Sequence, residues 1–290
     1  MRTLLMSHWL TTDPELGRLL WFTDGKTEIA AALDFGIRLL HLSCTGRENL
    51  FYRQPKDDRE FVTEEGWRIY GGHRLWTAPE GDWSYFPDNK PVQWELLENG
   101  VVLRQEDPWL GLTKALTAVF LPSGEVQVDH TVCNTDRKPI TCGVWGISTL
   151  APGGLGEVTL SPESADEYAP SRNFCLWGNT SITDPRISMQ KDRLYIRHIS
   201  KDDFFKMGLY TTAGEAVFQN FGQRFTCLFG SSEQPYPDSG SNFEIYLSRN
   251  MMELETLGGL RTLLPGETAV HREIWRVSNL TGTLSYTKEG

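Results

Sequence analysis

The sequence predicts an all-β protein, built as a two-layer antiparallel β-sandwich. Short runs of alternating or β-rich apolar residues recur along the chain, and Gly, Pro, Asn or Asp separates them at intervals of about 8–12 residues. No segment alternates strand with helix over the roughly 30 residues that a βαβ unit requires. Hydrophobic residues make up 39% of the composition and include 10 Trp, which is enough to fill a sizeable core.

Five segments show the strand pattern most clearly. Each carries alternating or β-rich residues and is bounded by turn-forming residues. They span residues 100–105, 124–132, 193–199, 243–247 and 270–277. Two other runs, 26–33 and 250–257, have some helical character, but both are too short to support an α/β fold.

The chain is expected to form a single domain over residues 1–290. The length is compatible with one large β-domain, no fixed-period repeat is present, and no Pro- or Ser-rich linker divides the sequence. The least regular stretch, residues 53–91, is rich in charge, Gly, Pro and Trp. Because loops of this kind on a β-scaffold usually carry function, we expect functional residues in this stretch.

Charge and targeting signals limit the choice of partners. The 38 acidic and 28 basic residues give a formal net charge of −10, which repels phosphate backbones and anionic lipid surfaces. No apolar stretch approaches the length of about 18 residues that a membrane helix needs, and the N-terminus has no small-residue cleavage pattern of a signal peptide. We therefore expect a cytoplasmic protein without nucleic-acid or membrane partners.

The first candidate site follows a glycine pair at positions 71–72. His73, Arg74, Trp76 and Glu80 lie within the next eight positions. Sugars present flat C–H faces that stack on indole rings and hydroxyl rims that bond to charged groups, and glycine lets a backbone approach such a ligand. A packed loop with a core Trp and a structural Arg–Glu pair explains the same residues equally well.

The second candidate site holds two carboxylates, Glu253 and Glu255, two positions apart. In an extended segment both side chains point to the same face. Inside a partly desolvated cleft, repulsion and burial raise the pKa of at least one of them, which suits a general base or acid near neutral pH. A solvated strand face would carry the same pair without function, and the spacing alone favours that interpretation.

Motifs for several other functions are missing. The sequence has no phosphate-binding Gly-rich loop, no dinucleotide fingerprint and no nucleophile elbow. No two histidines have the spacing of a metal-ligand pair, and the five cysteines form no Cys-x-x-Cys motif, so neither a metal nor a cofactor is expected. His130 alternates in phase with valines, which predicts a place in the core or a pocket floor.

A resemblance to a known family covers nearly the whole chain. It is carried by residues 36–52, the Gly-Gly-His-Arg-Leu-Trp-x-Ala-Pro-Glu segment at 71–80, residues 138–154, residues 236–246, and Leu254-Glu255-Thr256 followed by Leu-Pro-Gly-Glu at 264–267 and by Trp275. In this order and separation they resemble the aldose 1-epimerase (galactose mutarotase) superfamily, and more closely an uncharacterised bacterial branch of it. The resemblance implies a galactose mutarotase-like antiparallel β-supersandwich and a small-molecule carbohydrate as partner.

The resemblance also implies roles for individual residues. Glu255 takes the position of the catalytic base, which removes a proton from the anomeric hydroxyl, and His73 takes that of a histidine that protonates the ring oxygen. The protein would then be an isomerase that interconverts sugar anomers by general acid–base catalysis, without cofactor or metal. The residues expected to position the sugar are Arg74, Trp76, Glu80, Trp145, Lys206 and Glu253.

One departure from the family pattern leaves other functions open. The family's acid histidine corresponds to a position near Trp145, whose indole would either stack on a sugar or fill the sandwich. A protein that kept the cleft but lost the chemistry would be a carbohydrate-binding or sensor module. A protein that kept the carboxylate base for another substrate would be a uronate lyase or a biosynthetic isomerase, with Arg74 or Lys206 near a substrate carboxylate.

Overall fold

Antiparallel β-strands account for nearly all regular structure in the chain. The computed structural model describes residues 6–166, 168–178 and 180–280, and within them 21 strands form sheets of 11 and 10 strands, called here the front sheet and the back sheet. The front-sheet strands are β1 Ser7–Asp13, β2 Gly17–Thr23, β3 Thr27–Ala32, β4 Arg38–Cys44, β5 Gly72–Ala78, β10 Ile140–Leu150, β12 Phe174–Leu176, β15 Phe205–Leu209, β18 Phe243–Leu247, β19 Met252–Leu257 and β20 Arg261–Leu263. The back-sheet strands are β6 Gln93–Leu97, β7 Gly100–Asp107, β8 Leu112–Phe120, β9 Val126–Asn134, β11 Leu155–Thr159, β13 Ile187–Met189, β14 Arg193–Arg197, β16 Glu215–Asn220, β17 Gln223–Phe229 and β21 Thr268–Asn279.

The strand order places β5, β10 and β19 side by side in the front sheet. That sheet runs β1-β2-β3-β4-β5-β10-β19-β18-β15-β12, with β20 paired to one end of β10, and the back sheet runs β13-β14-β11-β16-β17-β21-β9-β8-β7-β6. The predicted two-layer antiparallel sandwich is therefore confirmed. Helical structure in the described ranges amounts to two four-residue turns, Asp82–Tyr85 and Pro237–Gly240, neither of which could span a bilayer.

The main hydrophobic core lies between the two sheets, where side chains of alternating strand positions meet. In β9, for example, buried positions alternate with half-buried ones, and Val126, Val128 and His130 point toward the front sheet. His130 thus occupies the core, one of the two places its phase predicts. The two runs with helical character are strands as well, because β3 and β19 are covered on both faces and so need apolar residues at consecutive positions.

The central strands β5, β10 and β19 are buried along almost their whole length. Every residue of β5 and β19 is buried, as are the last nine of β10. One face of these strands packs against the back sheet, and the other forms the floor of a cleft. Because successive side chains point to opposite faces, neighbouring residues in these strands belong to different environments.

The glycine pair at 71–72 serves backbone packing, which corrects its expected role in a ligand-binding loop. Gly72 begins β5 with φ +75°, and a Cβ there would lie 2.3 Å from the carbonyl oxygen of Leu39. Gly71 has φ +92°, and its Cβ would lie 2.1 Å from the carbonyl oxygen of Tyr52. The glycines therefore let the chain enter β5 against neighbouring backbone, and they do so by lacking a side chain.

Substituting Gly72 by Ala is expected to destabilise the protein by at least about 2 kcal/mol more than Gly153→Ala. Both glycines have positive φ, so both substitutions carry the left-handed backbone cost of about 1–2 kcal/mol, but nothing lies within 4 Å of a Cβ at Gly153. The additional loss at Gly72 comes from overpacking against backbone. Urea unfolding of both variants measures the difference, and equal losses would show that the close approach at Gly72 relaxes without cost.

Candidate functional site

A cleft of about 250 Å³ opens on the front sheet, on the face turned away from the back sheet. Its floor comes from the central strands, and its walls come from the irregular segments around them. The lining residues are Phe61, Trp67, Ile69, Arg74, Trp76, Glu80, Tyr85, Trp145, Ile147, Phe204, Lys206, Tyr246, Met251, Glu253 and Glu255. All the predicted sugar-positioning residues are among them, and so is the predicted base.

Strand alternation and register bring the predicted residues together on the cleft floor. β5 contributes Arg74 and Trp76, β10 contributes Trp145, and β19 contributes Glu253 and Glu255. Trp76 lies directly opposite Trp145 in the β5–β10 pair, and the two rings meet edge to face with centroids 5.7 Å apart. The two glutamates share one face of an extended strand, as their spacing predicts, and that face is desolvated.

A single lysine sits among three carboxylates in the cleft. The ammonium nitrogen of Lys206 lies 3.1 Å from a carboxylate oxygen of Glu244, 3.5 Å from one of Glu80 and 3.9 Å from one of Glu255. The same nitrogen stands 5.0 Å from the ring centroid of Trp145, close enough for a cation–π contact. Although burial disfavours the ammonium, the charges of these carboxylates raise the pKa of Lys206 above its ordinary value, so it stays protonated.

Burial shifts the titration of the two central carboxylates upward. Glu244 and Glu255 face each other across the β18–β19 pair, and both are almost completely buried. Burial raises the pKa of Glu255 to about 7; the Lys206 charge opposes the rise, and the charges of Glu253 and Glu80 add to it. Burial and the Glu255 charge raise the pKa of Glu244 further. Glu255 is therefore poised to gain or lose a proton near neutral pH.

A second ion pair holds the other side of the cleft. Arg74 donates to Glu253 over 2.8 Å and to the hydroxyl of Thr149 over 3.0 Å, and Thr149 donates to the same Glu253 oxygen over 2.8 Å. The Arg74 guanidinium also lies 4.5 Å from the ring centroid of Trp76. Because this pair is buried, these extra bonds offset the cost of removing both charges from water.

Three polar atoms of cleft-lining residues have no hydrogen-bond partner among the described residues. They are Oε1 of Glu255, Nε1 of Trp145 and Nε of Arg74, and each is shielded from bulk water. Buried polar atoms are nearly always hydrogen-bonded, and a group left unpaired costs about 1–3 kcal/mol. The lining residues thus carry one unpaired acceptor and two unpaired donors, a combination that suits a hydroxyl-rich ligand because each hydroxyl both donates and accepts.

The structure does not bring His73 into the cleft, which corrects its expected pairing with Glu255. His73 is adjacent to Arg74 in β5, so its side chain points to the opposite face, between the sheets. There Nδ1 contacts the Ser148 hydroxyl at 2.9 Å, and Nε2 contacts Nε2 of His130 at 2.6 Å. Burial lowers the pKa of His73 well below 6.5. A solute in the cleft has no access to this imidazole.

Several residues that line the cleft or contact its lining residues were not singled out by the sequence patterns. Glu244 follows Phe243 in β18, and the alternation Phe-Glu-Ile-Tyr-Leu places it on the same face as Tyr246, which signals a polar cleft face on a buried strand. Aromatic wall residues such as Trp67 and Tyr85 come from the irregular stretch 53–91. That stretch was expected to carry function, but its loop conformation gives no period from which single residues could be chosen.

Solved structures share this architecture. A galactose mutarotase-like protein from Lactobacillus casei has a TM-score of 0.60 at 13% identity, with 90% of this chain and 100% of that chain covered. A galactose mutarotase-like protein from Clostridium acetobutylicum has a TM-score of 0.56 at 11% identity, with 96% and 99% covered. The fold is that of the galactose mutarotase-like proteins.

The architecture of this chain also matches part of a longer protein. A TPR-domain containing protein from Parabacteroides distasonis has a TM-score of 0.64 at 11% identity, with 94% of this chain covered; this chain spans 49% of the length of that protein. No protein-family model and no curated protein matches the sequence. At sequence identities of 11–13% this likeness shows the fold alone and does not assign an activity.

Replacing Glu244 by Gln is expected to stabilise the protein at alkaline pH. Burial and the charge of Glu255 raise the folded-state pKa of Glu244 from 4.5 to about 9. At pH values between these two pKa values, Glu244 is ionised in the unfolded chain and protonated in the folded chain. The free energy of unfolding of the wild type therefore falls as the pH rises through this range. Glutamine mimics the protonated acid, and the variant should gain at least about 1 kcal/mol at pH 8 and nothing at pH 4.

Denaturant unfolding across this pH range tests the expectation. The exposed Glu95 of the back sheet supplies a control, because its surface ion pair with Arg104 is worth less than about 1 kcal/mol and Glu95→Gln should therefore change stability little at any pH. If Glu244→Gln instead destabilises the protein at pH 8, Glu244 is ionised in the folded state and its ion pair with Lys206 outweighs the cost of burial.

Proposed function

We propose that the protein is an aldose 1-epimerase-like isomerase, with Glu255 as the base that starts the interconversion of sugar anomers. The observation that supports this most directly is the state of Glu255: it is 1% exposed, lines the cleft and has a carboxylate oxygen without a hydrogen-bond partner among the described residues. Burial raises its pKa to about 7, the range in which a general base works best near neutral pH.

The proposed reaction uses Lys206 in place of His73 as the acid. Glu255 takes the proton of the anomeric hydroxyl, the O1 electrons form the aldehyde C=O, the bond between C1 and the ring oxygen breaks, and the ring oxygen takes a proton from Lys206. Rotation about the bond between C1 and C2 presents the other face of the aldehyde. Closure reverses both transfers, so Glu255 and Lys206 return to their starting states. Their separation of 3.9 Å suits one acid and one base acting on neighbouring oxygens.

The remaining cleft residues are proposed to position the pyranose. Trp145 and Trp76 offer indole surface on the floor for the C–H face of the sugar. Nε of Arg74 has no hydrogen-bond partner among the described residues, and the ion pair with Glu253 fixes the guanidinium in place. Glu80 at the exposed rim accepts from Tyr85 and contacts Lys206, which orients the ammonium.

A carbohydrate-binding or sensor module is the second candidate function. It is favoured by one observation: His73 faces away from the cleft, and both cleft cations, Arg74 and Lys206, are already paired with carboxylates. Such a cleft holds a hydroxyl-rich ligand without needing to transfer a proton. The same pairing gives less support to a uronate lyase, because a substrate carboxylate would have to compete with Glu253 for Arg74 and with Glu80 or Glu255 for Lys206.

Changing Glu255 to Gln is expected to slow anomer exchange by a factor of about 10² or more. The amide keeps the shape of the carboxylate but cannot accept the proton, and a general base typically contributes about 10²–10⁴-fold. NMR exchange spectroscopy on a panel of aldoses and uronates at equal protein concentration measures the rate. Glu95→Gln on the back sheet is the control and should match the wild type.

Two outcomes of that measurement would count against catalysis by Glu255. Equal acceleration by wild type and Glu255→Gln would place the base elsewhere. No acceleration by either protein, combined with saturable ligand-induced shifts in both, would support the binding module.

The rate of anomer exchange is expected to rise with pH through about 7. Glu255 must be ionised to act, and its pKa lies near that value, while Lys206 stays protonated over the whole range. The Glu253 charge raises the pKa of Glu255, so Glu253→Gln should move the midpoint of the profile to lower pH. Buffer-corrected rates between pH 5 and 9 test both points, and an unchanged midpoint would show that another group controls the profile.

A further inference from the structure

A cluster of three ligand-type side chains lies between the sheets, beneath the cleft floor. Nε2 of His73 in β5, Nε2 of His130 in β9 and a carboxylate oxygen of Glu273 in β21 all lie within 4.8 Å of one another. The two imidazole nitrogens are 2.6 Å apart, and Nε2 of His73 is 4.0 Å from Oε2 of Glu273. All three residues are buried, and they join the two sheets at this point.

The Nδ1 atoms of His73 and His130 make contacts of the kind that usually orient metal-bound histidines. Nδ1 of His130 contacts the backbone oxygen of His271 at 3.2 Å; since a carbonyl only accepts, this nitrogen carries the proton and Nε2 carries the lone pair. Nδ1 of His73 contacts the Ser148 hydroxyl, which can accept as well as donate. If the ring proton of His73 moves from Nε2 to Nδ1, both Nε2 atoms carry a lone pair and can bind a metal. The hydrogen bonds at the two Nδ1 atoms then fix the orientation of the rings.

Within the part of the chain that the structure describes, neutral hydrogen-bond donors hold the buried carboxylate of Glu273. It accepts a hydrogen bond from the Thr256 hydroxyl and another, over 2.6 Å, from Nε1 of Trp275. Nε2 of His73 lies 4.0 Å from this carboxylate and would form an ion pair with it only if the imidazole were protonated. A carboxylate removed from water needs a positive charge nearby, and a divalent cation between Glu273 and the imidazoles would supply one.

A glycine lets the cluster pack directly against the backbone of β10. Gly146 of β10 faces the cluster, and a Cβ there would lie 2.6 Å from Oε1 of Glu273 and 3.1 Å from Nε2 of His130. Two nitrogens bound tetrahedrally to one zinc ion at about 2.0–2.1 Å are roughly 3.3 Å apart. The imidazoles of His73 and His130 would have to separate by less than about 1 Å to reach that geometry.

We propose that His73, His130 and Glu273 bind one zinc ion that ties the front sheet to the back sheet. Two imidazoles and one carboxylate form a donor set that suits zinc. The cluster is linked to a surface cavity of about 460 Å³ by hydrogen-bonded side chains, because His271 lines that cavity and contacts Thr256, which donates to Glu273. Since the ligands come from three separate strands, they show none of the short spacings from which a metal site is predicted in a sequence.

Metal titration of the full-length chain tests the proposal. After EDTA treatment and dialysis, the wild type is expected to bind one equivalent of Zn²⁺ by calorimetry and to melt at a higher temperature with Zn²⁺ than without it. Glu273→Gln and His130→Gln preserve side-chain size and should weaken Zn²⁺ binding by more than about 100-fold. His198→Gln removes a buried histidine outside the cluster and should bind as the wild type does.

Either of two results would overturn the proposal. No Zn²⁺ uptake by the wild type at micromolar concentration would show that the cluster is a neutral hydrogen-bonded network. Undiminished binding by a correctly folded Glu273→Gln variant would place the ion elsewhere. If the variants fail to fold, anomalous scattering from wild-type crystals grown with Zn²⁺ decides: the peak must lie between His73, His130 and Glu273, and a peak anywhere else contradicts the proposal.

Discussion

Successive side chains of a β-strand point to opposite faces. In β5, β10 and β19 this alternation places one polar cluster in the cleft and a second, around His73, between the sheets. Arg74 and Glu255 face the cleft, while their neighbours His73 and Thr256 face the back sheet. Both clusters are buried, so a slip of one residue in register would exchange their environments. The cleft therefore depends on the pairing that holds these three strands in place.

The charge distribution in the cleft follows from its burial. Glu80, Glu244, Glu253 and Glu255 share two cations, Lys206 and Arg74, so the carboxylates outnumber the charges available to balance them. In bulk water this excess would cost little, but in a desolvated site it raises the pKa of the carboxylates that are buried most deeply. One of them, Glu255, thereby becomes a base of near-neutral pKa.

The cleft and the cluster of His73, His130 and Glu273 are connected through neighbouring residues of the same strands. His73 and Arg74 are consecutive residues of β5, and Glu255 and Thr256 are consecutive in β19. Hydrogen bonds from His73 to His130 and from Thr256 to Glu273 fasten these strands to the back sheet directly under the cleft floor. A scaffold of this kind fixes the positions of the cleft side chains, as the proposed proton transfer requires.

Local sequence patterns are enough to predict the layered all-β fold, and together with the family resemblance they name about half of the residues that line the cleft. Period-two patterning and turn residues predict the strands, and the spacing of Glu253 and Glu255 predicts that they share a face, because both depend only on local geometry. Three further features follow only from the tertiary structure. His73 faces the core, where it meets His130 and Glu273, and Glu244 pairs with Glu255 across neighbouring strands. These contacts join residues up to 200 positions apart, so they depend on strand order and register, which no local pattern specifies.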